Sequence, residues 1–278
     1  MKPAPFDYAR PASLDEALDL LAEPDPLVKI LAGGQTLGPM LNLRLVQPDL
    51  LVDVTRIPDL LRVEETDDAV LIGACVTHAA IEDGRVPDPS GGLLREVARG
   101  IAYRAVRTRG TLGGSLAHAD PAADWITCLA ALEAEAIVCS RAGRRSIPVA
   151  DFMAGVFETV MAPDEILEAV RIPKLAEGAR CGFYKVCRKT GEFAEAIGAV
   201  LHDPARGICR AVVGATHGAP IVLVDAAELF GRDLSAPLSA RFDRAAARRL
   251  LAEKGFTDDP YEVQVHTVAL ERAVRQVQ

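Results

Sequence analysis

Two glycine pairs, Gly33-Gly34 and Gly113-Gly114, are the first residues whose type and setting point to chemistry. Glycine has no Cβ, so successive backbone N–H groups can converge on an anion unobstructed. Thr36 stands beside the first pair, and Thr111 and Ser115 flank the second, adding hydroxyl donors. Two such loops, 80 residues apart in sequence, could grip the two phosphates of a dinucleotide from two sides. A Gly-Gly after a strand also serves as a plain turn, so the combination carries the reading. Neither pair belongs to the G-x-G-x-x-G that opens the helix of a Rossmann unit. The stretch around 110–124 also lacks a strand–helix–strand pattern, so a Rossmann NAD site is not expected.

Other reactive side chains are less organised. The six cysteines stand at 75, 128, 139, 181, 187 and 209. They contain no C-x-x-C and no C-x4-C-x2-C spacing of an iron–sulfur loop. Partly buried free thiols are expected, with no metal cluster on this chain. His78, His118 and His217 read as solvated or capping residues, His118 being nearest the second glycine pair. Arg107 and Arg109 beside that pair are either electrostatic helpers or a solvated pair.

The elements that must position these groups follow from periodicity. Ser13-Leu14-Asp15-Glu16 is a capping box, and Leu14, Ala17, Leu18 and Leu21 form a helical stripe. Pro24 and Pro26 are expected to end that helix. Val28–Leu31 reads as a strand running straight into the first glycine pair, and Leu50–Val54 as another. A short helix is expected over Met40–Leu45. In the middle of the chain, Ala69–Ala74, Ala136–Cys139 and Glu165–Ile172 read as extended, and Leu93–Ile101 and Trp125–Ala134 as helical. Arg141–Arg144 reads as a turn. Beyond residue 178, Gly182–Val186, Ala196–Leu201 and Cys209–Gly214 are spaced like a meander, with a turn at Asp203–Gly207. Helices follow over 239–254 and 261–276. The expectation is an α+β chain of three segments, 1–57, 58–176 and 177–278.

The 278 residues carry 31 Lys+Arg against 39 Asp+Glu, a net charge of −8. That balance excludes the basic stripe of a general nucleic-acid binder and a polybasic membrane dock. No apolar run approaches the roughly 18 residues of a membrane span. The opening Met1–Asp7 has no apolar stretch behind its lysine, so no secretory signal is expected and the default location is cytoplasmic.

Taken together, Ala32-Gly33-Gly34-Gln35-Thr36-Leu37, Arg109-Gly110-Thr111-Leu112-Gly113-Gly114-Ser115-Leu116-Ala117 and the following Asp120-Pro121-Ala122-Ala123-Asp124 resemble a known family. It is the FAD-binding medium subunit of the molybdenum hydroxylases, which include the xanthine, carbon monoxide, and quinoline or nicotine dehydrogenase types. The resemblance runs from Phe6–Pro11 to Lys185–Ala194 and is weakest over 255–278.

The resemblance implies a two-subdomain FAD-binding fold of the vanillyl-alcohol oxidase (PCMH) type, followed by a C-terminal flavoprotein domain of antiparallel sheet and helices. It implies that Lys29, Ile30, Leu31, Ala32, Gly33, Gly34, Gln35 and Thr36, with Leu37, form the first pyrophosphate loop. Thr111, Gly113, Gly114 and Ser115 would form the second. Asp124 would contact the sugar or adenosine side of FAD, Asp120 would also bind the cofactor, Ile101 and Leu167 would pack on it, and Lys185 would contact it. Tyr103 and Arg104 would line the flavin approach or a helix surface, and Trp125 and Ile126 would be core. No residue of this chain is expected to be catalytic or to bind metal. A large partner with molybdopterin cytosine dinucleotide would hydroxylate the substrate, and a small partner would carry two 2Fe–2S clusters. The expected assembly is a dimer of such heterotrimers. Gln35 replaces the histidine of some members, and Glu192 the aspartate of many. A stand-alone reductase or oxidase on the same fold, or a cofactor-free assembly subunit, is the competing reading.

Overall fold

The structure, a computed structural model, describes all residues except 23–26, 232–237, 258 and 278. The expected helix stop at Pro24 and Pro26 lies outside the described residues.

Three strands open the chain: β1 (Asp7–Ala9), β2 (Val28–Leu31) and β3 (Leu50–Asp53). They form a parallel sheet in the order β1-β3-β2. Parallel strands need crossovers. Helix α1 (Leu14–Ala22) links β1 to β2, and α2 (Leu37–Asn42) lies between β2 and β3. The capping box forms with a shift. Ser13 Oγ accepts from Glu16 N at 3.2 Å, but the Glu16 carboxylate reaches Ala12 N at 2.7 Å, one residue early. Helix α2 starts three residues before the expected Met40. Gly38 N already donates to Gly34 O and Met40 N to Thr36 O, so the chain coils as it leaves the glycine pair.

After α3 (Pro58–Leu61), a five-stranded antiparallel sheet runs β4-β5-β10-β6-β7. Its strands are β4 (Val63–Glu65), β5 (Ala69–Gly73), β6 (Glu135–Ser140), β7 (Gly143–Pro148) and β10 (Ile166–Pro173). A small hairpin, β8 (Met153–Gly155) and β9 (Glu158–Thr159), precedes β10. Between β5 and β6 runs a helical insert: α4 (His78–Glu82), α5 (Leu93–Gly100), α6 (Arg104–Arg107), α7 (Leu112–His118) and α8 (Asp124–Ala131). The last sheet is the expected meander of β11 (Arg180–Val186), β12 (Ala196–Asp203) and β13 (Ile208–Gly214), extended by β14 (Ile221–Leu223). Helices α9 (Ala227–Phe230), α10 (Arg244–Glu253) and α11 (Pro260–Val274) follow. Helix α10 begins later than the expected residue 239, because the Asp243 carboxylate caps it by accepting from Ala245 N and Ala246 N.

The meander sheet is covered on both faces at glycines. A Cβ on Gly198 would lie 2.5 Å from Leu270 Cα, and one on Gly182 2.0 Å from Ala273 O, so α11 rests on bare backbone. On Gly214 a Cβ would lie 1.8 Å from Thr127 Oγ1 of α8. All eight residues of α8 are buried. The main core therefore joins α8 residues Ile126 and Leu129 to Ile197, Ala199 and Val212 of the meander.

Trp125, fully buried, is the largest side chain of that core. Its indole Nε1 donates to His78 Nδ1 at 3.1 Å, which assigns the imidazole proton to Nε2. Burial pushes the His78 pKa down to about 4, with the Arg107 charge adding to the shift. Protonation would turn the accepting nitrogen into a donor facing a donor.

Two outcomes follow from this packing. Gly198→Ala should lower stability by about 1–3 kcal/mol through overpacking. Gly38→Ala, where a Cβ meets nothing within 4 Å, should be neutral or slightly stabilising in the same urea titration. The depressed His78 pKa means the unfolded chain binds more protons than the native one between pH 6.5 and about 4. Stability should hold above pH 6.5 and fall through that window by on the order of 1 kcal/mol per pH unit. His78→Gln, which can still accept from Trp125, should flatten that part of the stability-against-pH curve.

Candidate functional site

The first glycine pair leaves the C-terminal end of β2 and meets the segment that precedes the second. A Cβ on Gly33 would fall 2.2 Å from Arg109 O and 2.7 Å from Gly110 Cα, so the two backbones touch. A Cβ on Gly114 would come within 3.5 Å of Ala32 Cβ. Gly34 has φ +70°, a left-handed conformation that glycine adopts without strain. The second motif is anchored in turn to the end of β5. Gly113 lies so close to Ala74 that a Cβ would be 2.4 Å from the alanine methyl. Gly110 O accepts from His78 N at 2.9 Å, and Thr111 bridges Thr77. The two motifs that sequence reading paired thus lie side by side.

Their backbone donors differ. Within the described residues, the N–H groups of Gly33, Gly34, Gln35 and Thr36 make no hydrogen bond to the protein. Four consecutive unaccepted donors on an accessible turn suit an anion such as a pyrophosphate. Gln35 Nε2 donates to Gly33 O at 3.0 Å and stiffens that turn. The expected second loop is instead the first turn of α7, with Thr111 as its N-cap. Its amides are already engaged: Leu112 N with Val76 O, Gly113 N with Ala74 O, and Ser115 N with Thr111 O. Gly114 N donates to Thr111 Oγ1 at 3.0 Å. What this side can offer a ligand is the hydroxyl protons of Ser115 and of the buried Thr111; the space beside its glycines is filled by Ala74 and Thr111.

Lys185 and Asp124 form a buried pair, with side chains 10% and 8% exposed. Lys185 Nζ lies 2.9 Å from Asp124 Oδ1 and donates to Asp124 Oδ2 at 3.1 Å. It also donates to Gly100 O at 2.9 Å. Burial raises the Asp124 pKa, while the Lys185 ammonium works against that rise. Asp124 Oδ1 has charge contact but no directional hydrogen bond, a buried acceptor that a ligand hydroxyl could satisfy. Ile101 sits next to Gly100 and is half-buried. Asp120 forms a turn by accepting from Ala122 N through Oδ1 at 2.9 Å. Lys29 is exposed, and Ile30, Leu31, Ala32 and Leu37 are half-buried around the first turn. Leu167, on β10, is 5% exposed and packs in the main core, in the cluster that also holds Leu112 and Leu116 of α7.

The structure also resolves groups that the sequence left open. Arg107 is 8% exposed and forms a two-point pair with Glu82, at 2.8 Å from Nε and 3.0 Å from Nη2. Arg104 stays near the surface, joined to Asp83 and Glu82. His118 lies against the exposed Phe157 ring at 5.0 Å, and His217 pairs with Glu262 at 3.1 Å. Nothing in the spacing of Glu82 and Arg107 announces their contact, since 25 residues separate them. The residues present fit FAD: amides without a protein acceptor for phosphate, hydroxyl donors on the adjoining motif, and a buried carboxylate and ammonium.

Residues 4–175 match the family model described as the FAD binding domain in molybdopterin dehydrogenase. The nicotine 6-hydroxylase medium subunit of Paenarthrobacter nicotinovorans is 37% identical over 90% of this chain and 89% of its own length. The carbon monoxide dehydrogenase medium chain of Afipia carboxidovorans is 33% identical over 99% and 97%. Among solved structures, a carbon monoxide dehydrogenase from Hydrogenophaga pseudoflava that lacks the Mo-pyranopterin moiety superposes with a TM-score of 0.89 at 31% identity. That match covers 100% of this chain and 98% of the other. By motif, fold and likeness over its full length, the chain belongs to the FAD-binding domain family of the molybdopterin dehydrogenases, as a medium subunit of the molybdenum hydroxylases.

Proposed function

We propose that this subunit carries electrons within a molybdenum hydroxylase, holding FAD between its first glycine turn and the N-terminus of α7. The run of unaccepted N–H groups from Gly33 to Thr36 is the observation that carries this reading. These amides would bind the pyrophosphate, and the Thr111 and Ser115 hydroxyls would donate from the other side. Asp124 would accept from the sugar hydroxyls of the adenosine end, held in place by Lys185. Ile101 would supply an apolar surface beside it, with Gly100 anchored behind. Bound there, FAD supplies a redox carrier between 2Fe–2S clusters of a small partner and an external acceptor. The protein's own work is to bind, orient and keep water from the cofactor.

Hydroxylation of the organic substrate belongs, in this proposal, to a large partner with molybdopterin cytosine dinucleotide. The substrate class would be an N-heteroaromatic, a purine, an aldehyde or carbon monoxide, and the assembly a dimer of heterotrimers. The breaks at 57 and 176 would separate two FAD-binding subdomains from the C-terminal flavoprotein domain, the strands of the three main sheets spanning 7–53, 63–173 and 180–223. Among the described residues no helix is long and apolar enough to cross a membrane. Six unpaired thiols support a reducing, cytoplasmic setting.

The purified chain mixed with FAD should show a flavin absorption band, and acid denaturation should release all the flavin to the supernatant. Gly34→Val combines a strained φ of +70° with a Cβ 3.2 Å from Leu31 Cδ1. It should reduce flavin retention at least tenfold while the far-ultraviolet circular dichroism stays native. Full flavin retention by that variant would refute the amide-turn site, and flavin left on the acid pellet would refute a noncovalent one.

A further inference from the structure

Residues 100–102 place three consecutive carbonyl oxygens in the grip of two buried cations. Lys185 Nζ donates to Gly100 O at 2.9 Å. Arg107 Nη1 donates to Ile101 O at 2.8 Å and to Ala102 O at 2.9 Å. Each cation has its own buried carboxylate, Asp124 for Lys185 and Glu82 for Arg107. The four side chains are only 8–14% exposed. The Arg107 guanidinium beside Glu82 holds that carboxyl below its usual range.

The turn held this way is strained. Ala102 has φ +43°, a left-handed conformation that costs an alanine conformational energy. On its far side the chain meets the loop that follows β11. Ile101 forms a parallel bridge with Gly191, and a Cβ on Gly191 would lie 2.6 Å from Ala102 O. Gly191 itself has φ +93°. In the same loop Lys189 Nζ lies 3.5 Å from Glu192 Oε1. The turn thus touches three things: the Lys185–Asp124 pair, the 188–194 loop, and Arg107 beneath.

We propose that Arg107 and Glu82 are a positioning pair for the cofactor site. They fix the 100–102 turn, and through Gly191 the 188–194 loop, in the one shape that sets Ile101 and Lys185 toward FAD. The proposal rests on the reading of Ile101 and Lys185 as cofactor contacts. A guanidinium is required because one group must reach two carbonyls and both oxygens of a carboxylate at once. Its planar fork presents five donors in fixed directions, whereas an ammonium donates from a single point. Arg104 touches the same Glu82 but no carbonyl of the turn, and it is 48% exposed. It therefore does not substitute for Arg107. Among the described residues neither pair member shares a hydrogen bond or ion pair with the first glycine turn; their action passes through backbone.

The test uses the full chain with Arg107→Met, Arg107→Lys, Glu82→Gln and Gly191→Ala. Arg85→Ala, which removes a surface pair with Asp83, is the control. The first readout needs no FAD: hydrogen exchange of peptides spanning 188–194. Exchange there should quicken at least tenfold in Arg107→Met and Gly191→Ala and several-fold in Glu82→Gln, with β12 and β13 unchanged. The second readout is FAD affinity and the visible circular dichroism of bound flavin. Affinity should fall about tenfold in the same variants, the dichroic band should change shape, and Arg107→Lys should rescue neither. Unchanged exchange at 188–194 in Arg107→Met would overturn the coupling. Faster exchange with parental affinity and dichroism would overturn the positioning role, as would full rescue by lysine. If Arg107→Met fails to fold, Glu82→Gln and Gly191→Ala decide by the same criteria. Absence of FAD binding by the parent chain would instead count against the proposed function, and the exchange measurements would still decide the coupling.

Discussion

The contact of Gly33 with the backbone of Arg109 and Gly110 is the constraint from which the rest of the arrangement follows. No side chain fits there, since even a methyl carbon would fall 2.2 Å from a carbonyl oxygen. Two segments whose backbones touch cannot slide relative to each other without losing that fit. The C-terminal end of the small parallel sheet is thereby fixed against the N-terminus of α7. A shared core supports the same alignment, with Val52, Val54 and Leu18 of the first segment packed with Cys75, Cys139 and Ile166 of the second. The three short strands, with α1, lean on the antiparallel sheet through that core.

That alignment divides the work between the two glycine motifs. The first keeps four donors without an acceptor among the described residues on an accessible turn. The second has its amides tied to Val76, Ala74 and Thr111, which holds α7 rigidly on β5. A rigid wall facing a donor-bearing turn makes a site of defined width. Glycine serves each side for a different reason: left-handed φ at Gly34, close backbone approach at Gly33 and Gly113.

This division explains what was legible in the sequence. Strand β2, the meander and the two glycine motifs depend on local pattern, and local pattern displays them. The family resemblance drew attention to Asp124 and Lys185. What stayed hidden is long-range. Lys185 meets Asp124 across 61 residues and Gly100 across 85, and Glu82 meets Arg107 across 25. The helical state of 112–118 was also hidden, because two glycines in a first turn weaken the propensity signal while Thr111 and the Ala74 contact restore the helix. Leu167 shows the opposite case: an apolar residue in a strand reads alike whether it faces a cofactor or a core, and it packs in the cluster that also holds Leu112 and Leu116 of α7.

Two buried ion pairs so close together call for a physical reason, because desolvating charges is costly and apolar replacement is often neutral or better. Mutual attraction alone does not supply it. The reason is in the backbone: Gly100, Ile101 and Ala102 present carbonyl groups to the interior side of a left-handed turn. Apolar side chains would fill the space but leave those oxygens without donors, at the cost of unmade hydrogen bonds. Lys185 and Arg107 provide the donors, and Asp124 and Glu82 make the cations tolerable. The carboxylates are thus secondary to the cations, and the cations secondary to the shape of the turn. The backbone shape at 100–102 is thus what the two buried pairs hold.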